Sequence, residues 1–350
     1  ACVTAAGMYT YQLIKRVMSA RRISKKSPSA ANGASIYDVA KRADVSIVTV
    51  SRVFNDYPHV SSRMRNRVFS AARAVGYTPR LVSKPHVLAA IVGHLDYLSA
   101  GDYKTRLLLY IVQAAARVGY LVEFIPADSI ELATKHLVDG MIEVGLTEEE
   151  MLGLANLPQV PIVVINKKPR PEWSFVTSDH FDEGRLATKH LVDRGHRRIA
   201  LILDDARGWG VEQRRKGYES AAHAGIKGFK PLVFCTADTP PEKIARLMAE
   251  ANCTACVNFT DNFGFAVLDS CLHDLHLRIP EDLSVVCLEN KAISPYYNPK
   301  LTTIEQPLQM IAEGAVNGIL DLLGNSERRF ERTFTGRLIE RASVRTLSGD

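Results

Sequence analysis

A short stretch near the N-terminus, residues 47–59, combines side chains that suit contacts with DNA bases and phosphates. Arg52 can donate two hydrogen bonds to the edge of a guanine, whereas Ile47 and Val48 can make only apolar contacts, most naturally with thymine methyl groups. Hydroxyl, amide and imidazole groups suit the phosphate contacts that set the register of a protein on a duplex. The stretch supplies such groups at Thr49, Ser51, Asn55 and His59. These residue types predict a surface that binds and reads DNA.

Most of these residues fall on the second of three predicted short helices. Ser35 is a candidate N-cap for the first helix and Ser46 for the second, because serine side chains accept hydrogen bonds from the free backbone N–H groups at a helix start. The first helix has apolar residues at helical spacing, namely Ile36, Val39, Ala40 and Ala43. In the second helix Val50 and Val53 face inward, which leaves the DNA-contacting candidates outside.

The connections between these helices are also predictable. Asp44 lies where the chain must turn, and aspartate tolerates a left-handed backbone better than most residues do. The third helix begins after Ser61 or Ser62 and ends at Gly76. Two helices joined by a tight turn, with exposed residues near the start of the second, form the geometry that places a helix in the major groove. The pattern predicts a helix-turn-helix domain.

The charge distribution agrees with this prediction. The whole chain has a net charge of +6, but fourteen basic and three acidic residues give the first 80 residues a charge of +11, which leaves −5 for the other 270. A basic head on a mildly acidic body is the electrostatic pattern of a protein that binds a polyanion. Residues 1–34 hold six basic residues and no acidic one, and we expect a disordered tail there.

Length and composition bound the remaining possibilities. The 350 residues suggest about two or three domains, and a hydrophobic content of 46% is enough for packed cores. No apolar run reaches the roughly 18 residues of a membrane span, and the basic N-terminus lacks the apolar segment of a secretory signal. Six cysteines without a small-domain framework fit reduced thiols in a cytoplasm.

From residue 87 onward, short β-rich runs alternate with helical segments. This alternation predicts parallel sheets covered by helices on both faces. The helices are expected over residues 105–118, 184–194, 211–224, 241–251 and 262–273. No G-x-G-x-x-G follows a strand, so we expect no dinucleotide and no other cofactor. Cys253 and Cys256 form a single C-x-x-C in an apolar run, which favours a core role over a metal or redox site.

The N-terminal motifs together resemble the DNA-binding head of the lactose/galactose repressor family of bacterial transcription regulators. The resemblance rests on SIYDVAKRADVSIVTVSRVFN, HVSSRMRNRV and GYTPR, in which the D-V-A, V-S-x-x-T-V-S-R-V and G-Y-x-P elements are specific in combination. The family usually has glycine where this chain has Asp44. The resemblance implies that Ile47, Val48 and Arg52 choose the bases, and that the protein is cytoplasmic and associated with the bacterial nucleoid.

The body resembles the sensor domain of the same family, which is similar to periplasmic sugar-binding proteins. The matching segments are DEGRLATKHLVDRGHRRIALI, RRKGYESA, IPEDLSVVCLEN, LTTIEQP and RLIERASV. The implied fold is a small all-α helix-turn-helix head followed by an α/β body of two doubly wound parallel-sheet lobes. The resemblance is weak between about residues 94 and 160, where the family's asparagine-proline-aromatic motif is absent.

These patterns imply a division of the chain into a tail, a head, a short linker and a two-lobed body, at residues 1–34, 35–80, 81–87 and 88–350. Within the body, the resemblance assigns to lobe 1 about residues 88–179 and 306–335. It assigns to lobe 2 about residues 180–305 and 336–345.

Candidate ligand residues lie near the ends of predicted strands, where open α/β sheets bind ligands. Trp209, in a predicted Gly-flanked loop, can stack on a sugar or base ring. By resemblance, Arg214 holds ligand oxygens, Asp261 stands where the family usually has Asn-Asp, and Glu289 stands where it usually has Asp. The alternatives are structural: Arg214 could pair with an acidic residue on a helix surface, and Asp261 could cap the next helix. Asp179 and nearby Gly184 are expected to shape a turn and a cap rather than to touch ligand.

The resemblance implies a homodimeric regulator, a repressor, that binds an inverted-repeat operator. A small molecule, a sugar or a related metabolite, would control its operator affinity. One alternative is a DNA-binding regulator whose body no longer binds a ligand. The other is an enzyme with an active site in the cleft, but neither G-x-S-x-G nor H-E-x-x-H occurs, so we expect no catalysis and no catalytic metal.

The linker is where the sequence departs most from the family, whose members typically carry a longer segment. That segment folds into a hinge helix and pushes a leucine into the minor groove. Here Pro85 would stop a helix after about one turn, and Leu81 and Val82 are the apolar wedge candidates. Because an inserted wedge kinks DNA by separating a base step, we expect modest bending.

Overall fold

The computed structural model describes residues 34–54, 57, 60–77, 86–93, 103–135, 138–155, 160–204, 208–258, 262–289, 293–325 and 329–347. The chain divides into two compact units, Ala1–Lys84 and Pro85–Asp350, called here the head and the body. The predicted tail up to residue 33 and the linker candidates Leu81 and Val82 lie outside the described residues.

The head contains the three predicted helices, α1 (Ile36–Ala43), α2 (Ile47–Phe54) and α3 (Ser62–Val75). Ser35 and Asp38 form a reciprocal capping box at the start of α1, and the Ser61 hydroxyl accepts from the backbone N–H of Met64 at the start of α3. Asp44 adopts the predicted left-handed conformation with φ 49°, and Gly76 ends α3 with φ 67°. The local caps and turns therefore follow the sequence prediction.

A seam of small apolar side chains holds the three helices together. Val39, Val50 and Val68, one from each helix, are all fully buried, and Val53 is 1% exposed. Ile47 and Val48 are left on the surface, with 38% and 58% of their area exposed. The head thus buries the inward positions of α2 and exposes its first turn.

The first lobe of the body is built on one parallel sheet in the order β11-β5-β4-β3-β1-β2. Its strands are β1 (Val87–Val92), β2 (Leu121–Pro126), β3 (Gly140–Val144), β4 (Ile162–Ile165), β5 (Ser174–Ser178) and β11 (Glu331–Phe334). Its helices are α4 (Tyr103–Arg117), α5 (Glu131–Lys135), α6 (Glu148–Ala155) and α11 (Leu308–Gly324). Helices α4 and α11 cover one face of the sheet and α6 covers the other.

The second lobe is built on a sheet in the order β12-β10-β9-β8-β6-β7, parallel except for the antiparallel pair β10–β12. Its strands are β6 (Ile199–Leu203), β7 (Leu232–Cys235), β8 (Ala255–Asn258), β9 (Ser284–Cys287), β10 (Thr302–Glu305) and β12 (Arg337–Ile339). Its helices are α7 (His180–Asp193), α8 (Trp209–Gly225), α9 (Pro241–Glu250) and α10 (Asn262–Asp269). A π-helical turn, Ser270–Asp274, directly follows α10. The predicted fold class is confirmed.

Three segments of chain carry the backbone from one sheet to the other. The first crossover, residues 178–180, links β5 to α7, and the second, residues 305–308, links β10 to α11. The third, residues 334–337, links β11 to β12. Any change in the angle between the lobes must be absorbed in these segments, since the described chain passes between the two sheets only there.

Two predicted element boundaries were wrong. Trp209 is the first residue of α8 rather than part of a loop, and α7 begins at His180 rather than at Gly184. The predicted cap at Asp179 is present, since its carboxylate accepts from the backbone N–H of Asp182 at 2.9 Å.

Helices α7 and α8 approach so closely that two glycines are required between them. A Cβ on Gly184 would lie 2.1 Å from the carbonyl oxygen of Arg214, and a Cβ on Gly217 would lie 2.0 Å from that of Phe181. Real Cβ atoms do not tolerate such distances to backbone, so the glycines fix the separation of the helices.

We expect Gly217→Ala to lower the free energy of unfolding of the body by about 1–3 kcal/mol, because the added methyl must push two helix backbones apart. Gly324→Ala is the matched control, since a Cβ there meets nothing within 4 Å. Urea unfolding followed by circular dichroism measures both variants. Equal midpoints would contradict the close packing of α7 on α8.

Candidate functional site

The DNA-reading candidates of the head lie on the exposed side of α2. Ile47, Val48 and Arg52 are exposed, whereas Thr49 and Ser51 are half-buried. The hydroxyl of Thr49 lies 2.9 Å from that of Ser46, the residue before α2. The candidates Asn55 and His59 lie outside the described residues.

Two arginines that the sequence reasoning did not single out brace the surroundings of α2. Arg65 donates to the carbonyl oxygens of Tyr57 and Val60 at 3.0 and 3.2 Å. Arg67 donates to both the carbonyl and the carboxylate of Asp44 at 3.2 Å, and so ties α3 to the turn before α2. The guanidinium carbon of Arg52 lies 5.8 Å from the centre of the Tyr57 ring. These contacts hold the surface around Arg52 in place.

In the body, a cavity of about 650 Å³ lies between the two lobes. Lobe 1 lines it with residues that follow β3 and β4 and with the start of α4: Tyr103, Leu107, Gly145, Leu146, Thr147, Glu148, Ile165, Asn166, Lys167 and Lys168. Lobe 2 and the crossovers add His180, Gly208, Trp209, Gly210, Val211, Arg214, Glu289 and Gln306. The cavity therefore lies at the carboxyl ends of strands, where open α/β sheets bind ligands.

Three of the four predicted ligand residues line this cavity together. Trp209 and Arg214 reach it from α8, and Glu289 reaches it from just beyond β9. Asp261 lies outside the described residues. The Trp209 ring packs edge-on against the His180 ring, with 5.5 Å between their centroids.

Arg214 is buried and does pair with an acidic residue, although not on a helix surface. Its Nε donates to a carboxylate oxygen of Glu183 at 2.8 Å, and only 5% of Arg214 and none of Glu183 is exposed. The same oxygen lies 3.1 Å from Nδ1 of His180 and accepts from Nε2 of Gln306 at 3.3 Å. The Ser178 hydroxyl donates to the other oxygen. One carboxylate thus contacts four side chains.

The electrostatics of this cluster keep its groups in defined protonation states. Burial alone would raise the pKa of Glu183, but the guanidinium of Arg214 and the ring of His180 outweigh it and lower that pKa to about 2. Burial and the charge of Arg214 lower the pKa of His180 below its ordinary value. At neutral pH, Glu183 is therefore ionised and His180 is neutral.

A second buried carboxylate supports the other wall of the cavity. Glu143, on β3, is fully buried and accepts from the backbone N–H groups of Leu146 and Ile165 at 2.7 and 3.1 Å. Nζ of Lys167 lies 3.5 Å from its carboxylate and also donates to the carbonyl of Leu146. Burial raises the pKa of Glu143, and the ammonium of Lys167 opposes that rise.

Asn166 connects the same wall to the first crossover. Its side-chain N–H donates to the Tyr103 hydroxyl at 2.5 Å, and its Oδ1 accepts from the backbone N–H of Ser178 at 2.8 Å. Asn166 has a φ of 54°, which asparagine adopts more readily than most residues do. Burial raises the pKa of Tyr103, so its hydroxyl stays protonated.

Most residues of this polar network carry no signal in the local sequence. Asn166 and Lys167 directly follow an apolar strand, and that position was the available signal for them. Glu183 sits in a helix among other charged residues, and nothing in the local pattern distinguishes it from a solvent-exposed glutamate. Its role depends on contacts with Arg214 and Gln306, which are 31 and 123 residues away.

The C-x-x-C pair lies in the core of lobe 2, as predicted. Cys256 is fully buried in β8, and Cys253 packs against the same cluster. Burial raises the pKa of both thiols. Among the described residues, none of the helices is both long and apolar enough to cross a membrane.

Comparisons with known families cover both units of the chain. Residues 35–80 match the bacterial regulatory proteins of the lacI family. Residues 106–250 match the periplasmic binding proteins and sugar binding domain of the LacI family, and residues 188–344 match a periplasmic binding protein-like domain. The second match includes much of the stretch in which the sequence resemblance was weak.

The similarity to individual known proteins extends over nearly the whole chain. An HTH-type transcriptional repressor PurR of Haemophilus influenzae is 27% identical over 335 residues, which cover 90% of this chain and 99% of the relative. A lac repressor dimer bound to operator and the anti-inducer ONPF is 22% identical, with a TM-score of 0.74 and coverage of 90% of this chain and 100% of that one. A complex of the regulator CelR with cellobiose is 23% identical, with a TM-score of 0.65 and coverage of 89% and 99%.

A helix-turn-helix head joined to a two-lobed body of the periplasmic-binding-protein type defines a bacterial transcription regulator that binds DNA under the control of a small molecule. The chain belongs to the lacI family of bacterial regulatory proteins.

We expect Arg214→Leu to lower the free energy of unfolding of the body by about 3–5 kcal/mol at pH 8, because it leaves the Glu183 carboxylate buried without its cation. In the native protein the depressed pKa of Glu183 makes its ionised form stabilising at neutral pH, and this contribution is lost only as the pH falls toward about 2. Without Arg214, burial favours proton uptake by the Glu183–His180 pair, so part of the lost stability should return as the pH is lowered from 8 to 6.

Arg215→Leu is the matched control for this measurement. Arg215 is the next residue of the same helix, but it is exposed and forms an i,i+4 pair with Glu219. Its loss should cost less than about 1 kcal/mol at either pH. Urea unfolding at the two pH values measures both variants, and a loss in Arg214→Leu that does not change with pH would contradict the buried-pair interpretation.

Proposed function

We propose that this regulator represses transcription as a homodimer on an inverted-repeat operator, and that a neutral, hydroxyl-bearing small molecule in the cleft controls its operator affinity. The observation that carries the proposal is the exposed first turn of α2, where apolar Ile47 and Val48 face solvent beside Arg52. Exposed β-branched residues on a helix of a basic head have no packing role there, and they suit the thymine methyl groups of a major groove.

The third helix supports the proposal by supplying positive charge. It carries Arg63, Arg65, Arg67 and Arg73, with no acidic residue. Because neutralised phosphates release counterions, a head of this kind binds DNA with an affinity that falls steeply as salt rises. The same helix braces the turn at Asp44, so the phosphate contacts and the reading helix are held by one framework.

The cleft is suited to a neutral polar ligand. Each of two cationic side chains on its walls is paired with a buried carboxylate, Arg214 with Glu183 and Lys167 with Glu143. At the rim, Glu148 pairs with Arg170 at 2.5 Å. Because these charges are compensated within the protein, none of these six groups requires a charged ligand. The cavity volume of about 650 Å³ fits a small molecule of sugar size.

An apolar patch on lobe 1 supports the homodimer. Leu109 and Val112 lie three residues apart on one face of α4, with 59% and 37% of their area exposed. Phe124, on the edge strand β2, is 51% exposed and shares the sheet face of Val122, which packs against the α4 core. Grouped apolar residues on a surface mark an interaction site. We assign this patch, Leu109, Val112 and Phe124, to contact with a second copy of the chain.

Selection from random duplexes should return an inverted repeat, because two-fold symmetric heads require a two-fold symmetric site. Repeating the selection with Arg52→Ala should make one base pair of each half-site degenerate, and its affinity for the native site should fall by roughly 1–3 kcal/mol. An asymmetric consensus from the native protein would contradict the dimeric-repressor proposal.

Thr49→Ala is the control for the selection with Arg52→Ala. A lost phosphate contact weakens all sequences about equally, so this variant should return the native consensus with lower overall affinity. If Arg52→Ala also kept the full consensus, Arg52 would be a phosphate contact and not a base-reading residue.

Leu109→Arg should convert the dimer to monomers at micromolar concentration, because it buries a charge in the proposed patch. Operator affinity should fall by more than about tenfold, since the two heads would no longer be linked. Leu152→Arg is the control: Leu152 is 64% exposed on α6, on the opposite face of the sheet. Sedimentation velocity measures both, and a Leu109→Arg dimer would show that the subunits meet elsewhere.

A further inference from the structure

The three crossovers between the lobes converge on the first turn of α7. Ser178 belongs to the first crossover and Gln306 to the second, and both donate to the Glu183 carboxylate. Gly336 belongs to the third crossover, and a Cβ there would lie 3.5 Å from Cγ of Glu183. A single side chain of lobe 2 therefore hydrogen-bonds to two of the segments that join the lobes within the described chain and lies beside the third.

The same side chain also sets the orientation of groups that line the cleft. A carboxylate only accepts hydrogen bonds, so it fixes which end of each partner faces it. The Gln306 amide must present its N–H group to Glu183, and neutral His180 must carry its proton on Nδ1. Arg214 is held through Nε. All three partners line the cavity.

One of these partners carries an unused acceptor. With its N–H group on Glu183, Gln306 keeps Oε1 buried without a hydrogen-bond partner in the described structure, and only 8% of the residue is exposed. A buried acceptor without a partner is costly, so a ligand that donates a hydrogen bond there gains more than it would in water. A hydroxyl group can donate to Gln306 and accept from Arg214 at the same time.

We propose that Glu183 is the positioning residue that joins ligand binding to movement of the lobes. Its carboxylate holds His180, Arg214 and Gln306 in the cleft and, through Ser178 and Gln306, holds two crossovers against the third. A ligand that engages Arg214 and Gln306 redistributes hydrogen bonds on this carboxylate, and the change reaches the first two crossovers directly and the third through its packing beside Glu183. The inference rests on the proposed function for the identity of the cleft as the effector site.

Hydrogen exchange of the full-length chain, measured by mass spectrometry without DNA or effector, tests the proposal. Glu183→Gln should raise exchange about tenfold or more in residues 178–180, 305–308 and 334–337 together, because an amide cannot accept from all four donors. Glu143→Gln is the matched control, also a fully buried carboxylate beside the cleft. It should raise exchange only near Leu146 and Ile165, whose N–H groups it accepts.

Ser178→Ala keeps the test decisive if Glu183→Gln unfolds the body. It removes one hydroxyl from the first crossover and leaves Arg214 paired, yet it should raise exchange in residues 305–308 as well, since both segments donate to one carboxylate. Faster exchange confined to residues around 178 would overturn the proposal, because it would show Glu183 to be a local cap of α7.

The fluorescence emission maximum of Trp209 gives a second readout. It depends on the His180 ring beside Trp209, so it distinguishes a local change at this cluster from a general loosening of the fold. In a Trp173→Phe background, which leaves Trp209 as the remaining tryptophan, Glu183→Gln should shift the emission maximum because the His180 ring packed on Trp209 loses its charged partner. Glu143→Gln should leave the maximum unchanged. An unshifted spectrum for Glu183→Gln would also overturn the proposal. The exchange and fluorescence measurements contain neither DNA nor effector. Failure of the proposed function would therefore appear in the operator selection alone, and failure of the role of Glu183 would appear in these two measurements.

Discussion

A carboxylate with no access to solvent must have its charge compensated by its neighbours, and in the body of this regulator that constraint falls on Glu183. Two of its partners, His180 and Arg214, belong to lobe 2, and the other two, Ser178 and Gln306, belong to segments that join the lobes. Removing any one of them leaves charge or hydrogen-bonding capacity unsatisfied in a medium of low dielectric, where the cost is high. The position of Arg214, the shape of the cleft and the packing of the crossovers are therefore linked.

The close approach of α7 and α8 is what makes this arrangement possible. Glycines at 184 and 217 let the two helix backbones come near enough for Arg214 on one to reach Glu183 on the other. Gly210, in the first turn of α8, lies against His180, and a Cβ on Gly210 would be 2.9 Å from the His180 ring. Small residues at three positions thus allow a polar cluster to form where larger side chains would separate the helices.

The head is organised by a different physical principle. Its stability comes from an apolar seam of valines and alanines, and its polar residues are used at caps, turns and the exposed face of α2. Positive charge is concentrated in this unit, whereas the rest of the chain is mildly acidic. DNA contact and ligand contact therefore rest on separate sets of residues, and substitutions in one set should leave the folding of the other unit intact.

The head was predictable from sequence because its determinants are local. Ser35, Asp44 and Gly76 each act within a few residues through the backbone, and the spacing of Val50 and Val53 fixes the buried face of α2. The parallel sheets were equally clear, because strands buried on both faces must be continuously apolar.

The polar network of the cleft was not predictable, because its pairs are distant in sequence. Arg214 was identified by resemblance, but neither its partner Glu183 nor the role of Gln306 has a local pattern. Trp209 was correctly placed at the cleft yet wrongly assigned to a loop, because flanking glycines indicate a turn even where Gly210 packs inside a helix. Lys167 follows a strand end, but only its distance to Glu143 shows that its charge is compensated.

The most direct test of this account is a double-mutant cycle between Glu183→Gln and Arg214→Met, measured as the free energy of unfolding of the body at pH 8. If the two side chains form one compensated unit, Arg214→Met alone should be strongly destabilising, and adding Glu183→Gln should restore stability. The coupling energy should then exceed about 2 kcal/mol, within the range found for residues in direct contact. Additive effects within about 0.5 kcal/mol would contradict the central claim that one buried carboxylate organises the cleft and the crossovers.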